Sequence, residues 1–88
     1  MKIEEIKNEL ETEGYLVMLS KNGYLAAGQE NGFSEELGSK MMKNVFRVSL
    51  LDNQITVNYF TGQIAIKKEL KTIEELLKFV RQVFPLEE

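Results

Sequence analysis

The chain has 88 residues, 43% of them hydrophobic and 28% charged, which is room for one domain around one modest core. It contains no cysteine and no histidine, which excludes disulfides, thiolate nucleophiles, Cys-ligated zinc and imidazole as general base or metal ligand. The formal charge is −3, with three lysines against eight glutamates in residues 1–39 and eight basic against six acidic residues in 40–88. That makes a mildly dipolar molecule rather than a strongly basic nucleic-acid binder.

The first element runs from Lys2 to about Glu13. Ile3, Ile6 and Leu10 recur at helical spacing with charge on the other face, and Lys7 has Glu4 and Glu11 within one turn. Gly14 follows as a stop signal, so the pattern predicts an amphipathic helix. Its acidic beginning lacks the basic start and apolar run of a signal peptide, and no stretch approaches the roughly 20 apolar residues of a membrane span. The expectation is a cytoplasmic protein.

Tyr15 to Ser20 is rich in β-formers and predicts a strand. Asn22-Gly23 is a strong hairpin signal, and Tyr24 to Gly28 is the expected return strand. Gly28 to Phe33 is polar and turn-like. Between Ser34 and Lys43, Ser34 is placed to cap a short helix that turns Leu37, Met41 and Met42 inward, although Gly38 interrupts the pattern.

Three strands follow: Val45 to Leu51, Gln54 to Phe60 and Gln63 to Lys67. They are joined at Asp52-Asn53 and Thr61-Gly62, and their period-2 alternation predicts an antiparallel meander. In the last element, Thr72 to Phe84, Thr72 and Glu75 fit a capping box. Ile73, Leu76, Leu77, Val80, Val83 and Phe84 form an apolar stripe, and Pro85 ends the helix. The predicted fold class is α+β. An antiparallel sheet of about five strands, a hairpin plus a three-strand meander, is flanked by N-terminal and C-terminal amphipathic helices, with a short middle helix as a further element. One domain spans residues 1–88.

Little in the sequence points to catalysis. The carboxylates come as adjacent pairs, Glu4-Glu5, Glu35-Glu36 and Glu74-Glu75, whose side chains diverge on a helix instead of facing each other across a pocket. Glu30, Asn31, Glu35 and Glu36 lack the alternating ligands and loop glycine of a calcium loop. The serines have no histidine to activate them, and the glycines match no phosphate-binding loop. The expectation is a non-enzyme without cofactor or metal.

Two surfaces stand out as candidates for binding. Glu4, Glu5, Glu9 and Glu11 make an acidic row on the first helix that suits a basic groove on a partner. Met18, Phe60 and Phe79 fall off the core stripes and, with Leu16, are candidates for an interaction patch, a homodimer surface among its forms. A third set, Lys40, Lys43, Arg47, Lys67, Lys68 and Lys71, lies where six basic residues face two acidic ones between positions 40 and 71. With the aromatics Phe46, Tyr59 and Phe60 nearby, it is a candidate surface for single-stranded nucleic acid.

In size and composition the chain is similar to small acidic single-domain proteins of bacteria and their phages, many of which bind and block a larger machine. The sequence therefore favours a non-catalytic protein-binding domain acting stoichiometrically as adaptor, assembly subunit or inhibitor. A weak nucleic-acid-binding domain is the alternative, and membrane association is not expected.

Overall fold

The computed structural model describes residues 1–86. The element order is α1 (Ile3–Glu13), β1 (Leu16–Leu19), β2 (Leu25–Ser34), β3 (Ser39–Leu51), β4 (Gln54–Thr61), β5 (Ile64–Leu70) and α2 (Ile73–Val83). The strands form a single antiparallel sheet in the order β1-β2-β3-β4-β5. Both helices pack against one of its faces, as the α+β pattern predicts. No helix among the described residues is long and apolar enough to cross a membrane.

The helix ends follow the local chemistry. Gly14 takes the left-handed conformation at φ 115° and bonds back to Glu11 O, while the Tyr15 N–H reaches Leu10 O at 3.1 Å. These two bonds close the last turn of α1 as a Schellman motif. The Thr72 hydroxyl accepts the Glu75 N–H at 3.0 Å and caps α2.

Ile6 and Leu10 of α1 and Leu76, Leu77 and Val80 of α2 bury against Val17, Leu25, Ala27, Phe46, Val48, Ile55, Val57 and Leu70 of the sheet. At one end of this core lies an aromatic chain. Phe46 stacks on Phe84 with centroids 4.6 Å apart and meets Tyr15 edge-on at 5.6 Å, while Tyr59 meets Phe84 edge-on at 5.0 Å. The Tyr15 hydroxyl lies 3.0 Å from Val80 O and 2.7 Å from Phe84 O. It thereby gives the Phe84 carbonyl a donor just past the end of α2 and shares Val80 O with the Phe84 N–H, 2.8 Å away. Burial and the nearby Glu13 charge push the Tyr15 hydroxyl above the ordinary tyrosine range. Beside it Arg81 clamps Glu13, with Nε donating to Oε2 at 3.0 Å and a second bond to Oε1, which ties α2 to the end of α1. That pairing holds the Glu13 carboxyl below the ordinary glutamate range.

Residues 28–43 differ from the sequence expectation. Where a turn over Gly28–Phe33 and a short helix over Ser34–Lys43 are expected, β2 runs on to Ser34 and β3 begins at Ser39. The Ser34 hydroxyl does accept the N–H of Leu37, at 3.3 Å, as a helix cap would. Gly38, however, takes φ +67° and donates to Ser34 O at 2.8 Å, which reverses the chain after one turn. A Ser side chain bonded three residues on opens a helix and a tight turn alike, and here the glycine decides for the turn. Among the described residues no helix covers the second face of the sheet.

The resulting strands are long. At about 3.3 Å per residue, the 13 residues of β3 match the molecule's longest dimension of 38 Å. Two register shifts, between Ala27 and Gln29 and between Glu30 and Phe33, interrupt the β2–β3 ladder. At the first, Asn44 takes φ 54° and β3 folds closely over Gly28, where a Cβ would meet the Lys43 carbonyl oxygen at 2.8 Å. Glycine is required there by close approach of backbone.

Candidate interaction surface

Because side chains alternate along each strand, the face away from the helices carries the other half of the sheet's residues. The registers align one continuous row across it: Met18 opposite Ala26, Ala26 opposite Arg47, Arg47 opposite Asn58, and Asn58 opposite Lys67. On one side of this row lie Val45 and the pair Phe60 and Ala65. On the other lie Tyr24 and the run Ser49, Thr56 and Glu69. The Arg47 guanidinium sits over the Tyr24 ring, 4.9 Å from its centroid. That position holds a cation in place through its attraction to the ring face.

A depression of about 560 Å³ lies over β3, β4 and β5, walled by Val45, Phe60, Arg47, Asn58, Ala65 and Lys67 among others. Its lining contains two cations and an amide but no carboxylate. Lys67 is held 3.6 Å from Glu69 at the edge. This is an open surface that combines apolar walls, an aromatic and a positioned guanidinium. Such residues can hold an extended segment that offers an apolar side chain and a carboxylate. Among the described residues there is no group of three Asp or Glu side chains arranged to hold a metal ion.

The predicted site residues fall into separate places. Met18 and Phe60 lie on the open face, 54% and 73% exposed. Phe79 does not join them, because it packs under the helix layer with its ring 6.0 Å from that of Tyr59. Glu4, Glu5, Glu9 and Glu11 are exposed along α1, in the layer opposite the open face, with Glu11 bonded to Lys7 at 3.0 Å.

The six basic residues do not form one patch. Arg47 and Lys67 are on the open face. Lys40 is paired with Glu30 at 3.5 Å on the β2–β3 hairpin, where Lys43 also lies. Lys68 is opposite Val57 on the helix side, and Lys71 follows β5 in the turn to α2.

Tyr24, Val45, Asn58 and Ala65 are among the residues of this face that carry no candidate signal in the sequence. Strand parity places the first three here, since each is one position away from a core residue, Leu25, Phe46 or Val57. Ala65 joins them through its pairing with Phe60. Compared with family models, curated proteins and solved structures, the chain matches none.

Proposed function

We propose that the chain is a non-catalytic protein-binding domain that acts stoichiometrically, with the open sheet face as its contact surface. The observation that carries this reading is the one-sided sheet. Both helices cover the core face, while the other presents Met18, Tyr24 and a stacked Arg47, with Arg47 and Phe60 on the wall of an uncovered depression. Aromatic residues and arginine dominate the binding energy of protein interfaces when they lie together at the centre of a patch. The charge distribution supports a protein rather than a nucleic acid, because only Arg47 and Lys67 of the basic set share the face and Lys67 is already paired. The acidic row on α1 is the competing contact surface within the same function, suited to a basic groove such as that of a nucleic-acid-binding machine.

The test is affinity capture from lysate of the source organism, with and without nuclease. Three baits are compared: the wild-type chain, a face variant (Met18→Glu, Arg47→Glu, Phe60→Glu) and a helix variant (Glu4→Lys, Glu5→Lys, Glu9→Lys, Glu11→Lys). The reading predicts a nuclease-resistant partner in stoichiometric amount, kept by the helix variant and lost by the face variant. Loss by the helix variant alone moves the contact to α1. A partner released by nuclease, with steep weakening as salt rises, replaces the reading with a nucleic-acid-binding domain.

A further inference from the structure

Two strands end the sheet, β1 with 4 residues and β5 with 7. β5 pairs with β4 at every position from Ile64 to Leu70, without a register shift and without a proline. Among the described residues no strand pairs with its outer side, and Ile64, Ala65, Lys67, Lys68 and Glu69 are exposed. The last described residues, 83–86, line a notch with Asn44, Tyr59, Phe60 and Thr61, and no residue of β5 is on its wall. A regular edge of this length presents outward N–H and C=O groups, the template for addition of an extended segment.

The side chains along the edge select what can pair there. Lys67 lies on the open face and Lys68 on the helix side, opposite Asn58 and Val57. Lys67 is 3.6 Å from Glu69, but both side chains are more than half exposed, and such a pair contributes little. Among the described residues Lys68 is in no ion pair. In the register that uses the whole strand, β5 of a second copy running antiparallel would set Lys67 against its own equivalent. Like charges directly opposite are destabilising, so the edge disfavours its own copy and favours a strand with carboxylates at these positions. Next to the lysines the edge turns apolar. Ile66 is half-buried on the helix side. Ala65 is opposite Phe60, which is 73% exposed, so a large apolar side chain on an added strand can lean over Ala65 towards the Phe60 ring.

We infer that the β5 edge binds an extended acidic segment of a partner protein, which adds antiparallel as a sixth strand. In its own N-to-C order the segment carries two adjacent carboxylates, opposite Lys68 and Lys67, and then two apolar residues, opposite Ile66 and Ala65. Backbone hydrogen bonds supply affinity in such an addition and the alternating side chains supply specificity. The inference rests on the reading of the open face as the contact surface, and it names the chemistry of the partner that lies along its β5 border. The depression on that face reaches this border through Ala65, Ile66 and Lys67, and its lining contains no carboxylate.

Two terminally blocked synthetic peptides test it, Thr-Thr-Glu-Glu-Val-Leu-Thr and the same sequence with both Glu replaced by Lys. Each is titrated to millimolar concentration against the nitrogen-15-labelled chain, read by amide shifts and hydrogen exchange. The acidic peptide is expected to shift the amides of residues 64–70 and to slow exchange at the alternate ones that point outward. The lysine peptide is expected to bind about tenfold more weakly or worse. Lys67→Glu with Lys68→Glu, both at exposed positions, is expected to reverse that preference with an unchanged circular dichroism spectrum. Equal binding of the two peptides, or binding of neither, overturns the inference. So does an acidic peptide whose shifts fall on Tyr24 and Arg47 while β5 exchange is unchanged, a result that keeps the open-face reading. That reading is tested separately by the face variant in the capture comparison, which leaves Lys67 and Lys68 in place.

Discussion

Tyr15 contributes through its hydroxyl as much as through its ring. Its position just after Gly14 is fixed by the end of α1, and from there its O–H reaches the final carbonyls of α2, 65 and 69 residues on. Removing that hydroxyl takes away the donor to the half-buried Phe84 carbonyl, while Val80 O keeps the Phe84 N–H. Tyr15→Phe is expected to lower unfolding free energy by about 1–3 kcal/mol, measured by urea denaturation. The raised hydroxyl pKa gives a second readout. A group that holds its proton more tightly when folded stabilises the fold below its unfolded pKa and ceases to do so as pH rises through the folded value. Wild-type stability is therefore expected to fall on the alkaline side, and Tyr15→Phe to flatten that fall.

Glu13 has the opposite sign. Its depressed pKa, caused first by the hydrogen bond from Arg81 and then by the guanidinium charge, means that its stabilisation is present above the unfolded glutamate pKa. It is lost as pH falls through the folded value. Thermal melts across the acid range are expected to show a shallower decline for Glu13→Gln than for wild type. The pair is exposed to solvent, so the difference is expected to shrink in high salt. Gly28 tests the bulge. Gly28→Ala forces a methyl against the Lys43 carbonyl oxygen and is expected to cost about 1–3 kcal/mol. An unchanged melting temperature would show that the close approach does not exist in solution.

At the scale of elements, legibility in the sequence followed the strength of the local signal. α2 carries an uninterrupted apolar stripe, a cap at Thr72 and Pro85 beyond its end, and its boundaries follow from these alone. The β3–β4 hairpin is equally clear, since Asp52 and Asn53 both take the left-handed conformation at φ 51° and 62° that a two-residue turn demands. The β2–β3 hairpin was not legible for a physical reason. Gln29 to Lys43 extends beyond the core, so no buried face imposes the alternation that marks a strand, and its two register shifts break what alternation remains. The cap chemistry of Ser34 serves helix and turn equally, and only the left-handed Gly38 separates them. In α1, the acidic row has no role in packing. Reversing Glu4, Glu5, Glu9 and Glu11 to lysine is expected to leave the melting temperature within a few degrees of wild type, because exposed charges away from special geometry contribute little.

For the molecule as a whole, sidedness connects fold and function. Carboxylates line the outer helix layer, the core lies between that layer and the sheet, and the open face carries Arg47, Lys67, Tyr24 and Phe60. The sequence located Met18 and Phe60 on that face by parity alone. It misassigned Phe79, because a helix flank reads the same whether it meets solvent or the rim of a sheet, and the contact with Tyr59 is long-range. It also grouped the six basic residues by proximity in sequence, whereas alternation and the hairpin separate them in space. Arg47 meets Ala26 through the β2–β3 register, which no local pattern specifies.

Covalent footprinting of the chain alone and in complex with the partner it captures tests the open-face account most directly, because Met18, Tyr24 and Phe60 all carry side chains that hydroxyl radicals label. The account predicts that labelling of these three falls together in the complex while carboxyl labelling of Glu4, Glu5 and Glu9 is unchanged. Protection of the α1 carboxylates with Met18, Tyr24 and Phe60 still labelled as in the free chain would contradict it.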